Sequence, residues 1–118
     1  MLKSLYWRVN FFLKNRKSKR LKKQHKENNS LLTINTKNGT FVVDATDLEV
    51  SAKLRNKGEY GIDEINRISK FIDNQSSILI VGAHIGSLAI PIAKMCSEVV
   101  AIEANPNNFK LLQTNIEM

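Results

Sequence analysis

The chain has 118 residues, 42% of them apolar, with seven glycines and prolines together and 18 Lys or Arg against 11 Asp or Glu. That length bounds it to one small domain, and the composition argues for a packed core over a disordered chain. Cys96 is the single cysteine, so an internal disulfide is excluded and no Cys/His cluster offers a metal site; a reducing, cytoplasmic setting is expected.

The formal charge of +7 is unevenly placed. Residues 1–29 hold ten Lys or Arg and one acid, Glu27, whereas residues 30–118 hold eight basic and ten acidic side chains. The basic character therefore belongs to an N-terminal arm, and the remainder is mildly acidic. Within the arm Leu2, Leu5, Val9 and Phe12 fall at helical spacing, with Tyr6 and Leu13 beside them, and a nearly continuous charge run follows from Asn15 to Lys23. No apolar run approaches the roughly 18 residues needed to cross a bilayer, and Arg8 and Asn10 interrupt anything like a secretory signal. Three readings stay open: a helix docked on its own domain, an interfacial helix on an anionic membrane surface, or a nucleic-acid contact. The last is disfavoured because the charge run lacks interleaved aromatics.

Residues 30–77 form a lead-in. Leu31–Asn35 and Phe41–Asp44 read as strands around Asn38-Gly39, a strong hairpin signal because both residues tolerate positive φ. Thr46 or Asp47 can cap a helical turn carrying Leu48, Val50 and Leu54, which Gly58 stops. Ile62, Ile65, Ile68 and Ile72, with Phe71 alongside, predict a further helix whose first turn carries Asp63 and Glu64, where the helix dipole favours carboxylates.

Residues 78–118 carry the chemistry. Ile78–Val81 is a continuous apolar run, as expected of a parallel strand buried on both faces. Gly82-Ala83-His84-Ile85-Gly86 follows, then a helix from Ser87 to about Cys96, with Pro91 removing one backbone bond to Ser87. A second strand, Val99–Ile102, is closed by Glu103, and Asn105 with Pro106 opens a last helix whose apolar face is Phe109, Leu112 and Ile116. This β-α-β-α order, a glycine turn after the first strand and an acid closing the second, suits an adenosine-containing ligand. Glycine lets a backbone turn tightly and a ligand approach, a helix N-terminus favours an anionic group, and a carboxylate 21 positions after Gly82 can accept hydrogen bonds from a ribose diol. The spacing is shared by dinucleotide and S-adenosylmethionine sites. His84 stands where the second glycine of a dinucleotide fingerprint would admit pyrophosphate, which favours the methyl donor.

Val81–Lys94, Val100–Pro106 and Asn108–Ile116 together resemble the FkbM-type family of S-adenosylmethionine-dependent methyltransferases, with Gly58-Glu59-Tyr60 similar to the entry into that family's first core strand. The resemblance implies an α/β, Rossmann-like class I methyltransferase fold, of which this chain supplies the N-terminal portion: hairpin, helices, then β-α-β-α. It implies S-adenosylmethionine as cofactor and O-methylation of a sugar or other small hydroxyl compound. By position, Gly82, Ala83, His84 and Gly86 would line the methionine end, Glu103 would hold the ribose, and Ala104 and Asn105 would lie beside the adenine. Two positions depart from the pattern: Ile80 stands where the family usually has an acid, and His84 where it more often has asparagine. No residue is assigned as catalytic. A truncated enzyme is expected, too short to be active alone and with weak or no cofactor binding and no turnover, with a non-enzymatic remnant or a membrane-surface protein working through residues 1–29 as the alternative.

Overall fold

The computed structural model describes residues 30–118; the readings of the N-terminal arm lie outside the described residues. β1 (Leu31–Thr36) and β2 (Gly39–Asp44) form the expected antiparallel hairpin, with Leu31 opposite Asp44 and Thr36 opposite Gly39. The turn is fixed by Gly39 at φ +129 and by the Thr36 hydroxyl, which donates to Gly39 O at 2.8 Å and accepts from Asn38 N–H at 3.2 Å.

α1 (Val50–Lys57) follows. Of the two candidate caps, Asp47 fills the role: its carboxylate accepts from Glu49 N–H at 3.0 Å and Ser51 N–H at 2.7 Å, whereas the Thr46 hydroxyl donates to Asp44. Gly58 ends the helix in the left-handed region at φ +69, its N–H on Leu54 O. Val50 and Leu54 turn inward onto Phe41, Val43 and Ile85, the centre of the core.

α2 (Ile62–Ile68) is shorter than the isoleucine spacing predicts. The Ser69 hydroxyl donates back to Asn66 O at 2.9 Å, and Lys70 and Phe71 bond carbonyls three residues back, so the helix tightens and stops. Phe71, expected on its apolar face, is left 87% exposed.

β3 (Ser77–Val81) and β4 (Glu98–Ile102) pair in parallel with Val81 opposite Ile102, bridged by α3 (Ala89–Ala93). The strands are not buried on both faces. Ile78, Ile80, Val99 and Ala101 form the half-buried face, with Val99 and Ala101 beside Ala89 and Ala93 of α3, while Leu79, Val81, Val100 and Ile102 are 49–73% exposed, because among the described residues nothing packs on that side. α3 spans five residues rather than the ten expected. Pro91 has no N–H to donate, and Lys94 and Met95 already bond carbonyls three residues back. α4 (Pro106–Ile116) begins as predicted, with Asn105 Oδ1 accepting from Asn107 N–H at 2.9 Å and Asn108 N–H at 3.4 Å. Its buried side chains are Leu112 and Asn115; Phe109 and Ile116, expected on the inner face, are exposed.

Candidate cofactor-binding site

The glycine loop leaves the carboxyl end of β3 and is held at its start by the neighbouring strand: Gly82 and Ala83 both donate to Ile102 O, at 2.8 and 3.0 Å. The two loop glycines answer different demands. At Gly82 (φ +79) a Cβ would meet nothing within 4 Å, so the residue keeps one side of the loop open to approach. At Gly86 (φ +94) a Cβ would lie 2.9 Å from both Ile90 Cδ1 and Leu112 Cδ1, so the residue lets α3 and α4 close on the loop. His84 sits between them at φ +52, a conformation in which His and Asn are both enriched among non-glycine residues. That accounts physically for a histidine at a position where the FkbM-type pattern has asparagine.

Glu103 closes the loop from the other side. One carboxylate oxygen accepts from His84 N–H at 2.7 Å and the other from Asn105 N–H at 2.8 Å. Burial by itself would raise this carboxyl group. The N–H groups of Asn105 and His84 outweigh it and hold the group below its ordinary value. Glu103 is thus ionised at neutral pH, and each oxygen retains acceptor capacity. Of the other expected site residues, Ala83 is buried, Ala104 is exposed, and the Asn105 side chain is engaged in capping α4.

Two buried asparagines, which sequence reasoning did not single out for the site, pin the far end of the loop. Asn38, 2% exposed in the hairpin turn, donates to Ser87 O at 2.8 Å and Tyr60 O at 2.6 Å and accepts from Tyr60 N–H at 2.9 Å. Asn115, 3% exposed on α4, donates to Ile85 O at 2.9 Å and Val42 O at 3.2 Å and accepts from Val42 N–H at 2.7 Å. Their amides therefore grip the carbonyls on either side of Gly86 and tie the loop to the hairpin. Pro91 has a part in this. In an uninterrupted helix Ser87 O would accept from residue 91; proline cannot donate, and Asn38 takes that carbonyl instead. The only sequence signal for this network was the missing N–H of Pro91.

A cavity of about 150 Å³ opens beneath the loop, lined by Gly82, Ala83, His84 and Ser87 on one side and by Tyr60, Ile80 and Leu88 on the other. A second and larger cavity, about 550 Å³, shares Tyr60 and Leu88 with it and runs out between the hairpin turn and α2.

A model of the TRM5/TYW2 methyltransferase domain matches residues 25–118. The chain belongs to that family. Solved structures agree with the assignment. A protein of Pyrococcus horikoshii described as a transferase is 25% identical with a TM-score of 0.57, over 75% of this chain and 31% of that one. The M. jannaschii tRNA m1G37 methyltransferase is 26% identical at a TM-score of 0.57, over 77% of this chain and 27% of its own. The M. jannaschii TYW2 in complex with AdoMet shares the fold at 24% identity and a TM-score of 0.58, over 75% of this chain and 38% of its own. The chain thus spans about a third of the length of these structures. No curated protein matches it. The methyltransferase fold expected from the sequence is confirmed, and the family is TRM5/TYW2; the matches do not extend to the FkbM-type family.

S-adenosylmethionine is the cofactor this membership brings, and the loop fits it on three counts. Gly82 leaves the loop open on one side, Glu103 is held ionised with acceptor capacity to spare, and His84 Nδ1 is buried without a hydrogen-bond partner in a residue that lines the loop cavity. One wall fits less well: Ile80 offers an apolar surface where an acid could have met the cofactor's ammonium group.

Proposed function

We propose that this chain is the cofactor-binding part of an S-adenosylmethionine-dependent methyltransferase whose methyl acceptor is RNA of the tRNA class. The observation that carries the reading is the continuous family match over residues 25–118, supported by the likeness to a tRNA methyltransferase. A small hydroxyl acceptor, expected from the FkbM-type resemblance, is the competing acceptor class.

When bound, the cofactor supplies a methyl group on a sulfonium, reactive enough that the enzyme's contribution is largely placement. The residues of this chain serve that placement. Glu103 accepts hydrogen bonds from the ribose hydroxyls with the oxygen capacity left by His84 and Asn105. The backbone from Gly82 to His84 shapes the methionine end, and the unpartnered His84 Nδ1 is the polar group free to meet it. Asn38 and Asn115 keep the loop from shifting as the ligand enters.

The test pairs equilibrium binding of S-adenosylmethionine with transfer of a tritiated methyl group, offering bulk tRNA and simple sugars as separate acceptors. Label in tRNA supports the proposal. Label in sugars with none in tRNA overturns the acceptor, and absence of cofactor binding overturns the whole reading.

A further inference from the structure

S-adenosylmethionine brings opposite charges to its methionine end: a carboxylate that needs hydrogen-bond donors and an ammonium group that needs acceptors. Among the described residues, no side chain lining the loop cavity is a carboxylate, an ammonium or a guanidinium. Ile80 presents an alkyl group there, and Glu59, Asp63 and Glu64 line the larger cavity instead. The backbone is uneven in what it offers. The N–H groups of Ser87 and Leu88, both in the cavity wall, meet no acceptor among the described residues, so donors for the carboxylate are at hand. Acceptors are scarcer. The carbonyls of Ala83, Gly86 and Leu88 already take backbone N–H groups, and those of Ile85 and Ser87 take the amides of Asn115 and Asn38. One side-chain atom stands apart: His84 Nδ1 is buried without a partner, in a residue that lines this cavity. An imidazole nitrogen without its proton is an acceptor.

We propose that the His84 imidazole, unprotonated at Nδ1, accepts the cofactor's ammonium group, the task a carboxylate would perform in a charged pocket. The loop presets the residue: His84 N–H is fixed on Glu103 at 2.7 Å and its backbone lies at φ +52, so only the ring torsions remain to bring Nδ1 to the ligand. A protonated ring would set two cations against each other, so binding selects the neutral one. A ligand that keeps the adenosine and the carboxylate but lacks the amino group gains nothing from this contact. His84 is thus a specificity-determining residue, through which the loop tells an amino-acid-bearing adenosine compound from other adenosine compounds. The inference rests on the reading of the Gly82–Gly86 loop as the S-adenosylmethionine site.

The test is a cycle of binding measurements by isothermal titration of the full chain. The ligands are S-adenosylhomocysteine, its analogue lacking only the amino group, and its analogue lacking only the carboxyl group. The proteins are the parent, His84→Gly and His84→Asp; glycine and aspartate both tolerate the left-handed backbone, and thermal melts check that each variant is folded. In the parent, loss of the amino group should weaken binding at least tenfold. In His84→Gly that penalty should shrink by threefold or more, and His84→Asp, which restores an acceptor, should bring it back. The penalty for losing the carboxyl group should be the same within twofold in parent and His84→Gly. An amino-group penalty that shrinks by less than threefold in His84→Gly would overturn the assignment. So would a carboxyl-group penalty that vanishes there, because His84 would then be a donor to the carboxylate. The parent's affinity for S-adenosylhomocysteine reads the cofactor site by itself. Binding to the parent with no effect of His84 rejects the role of His84 alone, whereas no binding at millimolar ligand rejects the cofactor reading and this inference with it.

Discussion

Replacing Asn115 with alanine removes one side chain from α4 and leaves three backbone groups without this partner: the buried Ile85 O and the part-buried Val42 N–H and Val42 O. Leaving a buried donor or acceptor unsatisfied costs about 1–3 kcal/mol each. The Val42 groups lie on the outer edge of the hairpin, where water can replace part of the loss. A net cost of about 2–4 kcal/mol follows, a large share of the roughly 5–15 kcal/mol that stabilises a typical domain. Asn115→Asp separates hydrogen bonding from shape. It keeps the acceptor for Val42 N–H but turns both donations into a carboxylate facing two carbonyls, so it should be at least as damaging as alanine. Urea denaturation followed by circular dichroism measures both. Loss of less than 0.5 kcal/mol in the alanine variant, or an aspartate variant as stable as the parent, would show that the asparagine does not hold the loop to the hairpin.

Other expectations follow from the same geometry. Gly86→Ala should destabilise the fold by about 2–4 kcal/mol, combining an unfavourable backbone with overpacking against Ile90 and Leu112, whereas Gly82→Ala pays only the backbone strain; paired thermal melts should rank them in that order. Glu103→Gln keeps the shape but places an amide N–H₂ against one of two backbone N–H donors, so the loop should loosen at neutral pH. Because the native carboxyl group lies below its ordinary value of 4.5, the stabilisation from Glu103 is present above that pH and is lost as pH falls through the lower native value. The stability gap between parent and Gln variant, measured by urea denaturation across pH, should therefore be constant near neutrality and narrow below 4.5; a gap that widens on acidification would contradict the assignment. His84→Gly should leave stability unchanged or raise it by up to about 1 kcal/mol by relieving the left-handed backbone, while His84→Val should destabilise; calorimetry distinguishes them.

Local chemistry made much of this fold legible. The Asn38-Gly39 turn, the left-handed stop at Gly58 and the Asn105-Pro106 cap each depend on a few adjacent residues, and each formed where the sequence placed it. The β-α-β-α order and the approach of Glu103 to the glycine loop were legible because strand, turn and acid come in a fixed sequence along the chain. What could not be read depended on partners distant in sequence. Asn38 and Ser87 are 49 positions apart, and Asn115 and Val42 are 73 apart, so nothing local marks either asparagine as more than a turn or surface residue. Periodicity overreached where apolar residues outnumber the faces available. Phe71, Phe109 and Ile116 fit a helical stripe but lie beyond the described core, and Leu79 and Val81 belong to a run whose second side is open. The family, too, turned on detail: the glycine turn and the acid marked a site for an adenosine-containing ligand and the FkbM-type resemblance a methyltransferase, whereas the match over residues 25–118 identified the TRM5/TYW2 family.

The central claim is that the loop from Gly82 to Gly86, closed by Glu103, is an S-adenosylmethionine site. Titration of the full ¹⁵N-labelled chain with S-adenosylmethionine tests it most directly. The account predicts amide shifts concentrated at Gly82, Ala83, His84 and Glu103–Asn105, and their loss in Glu103→Gln. Shifts absent from that loop at cofactor concentrations in the millimolar range, or unchanged in the Gln variant, would contradict it.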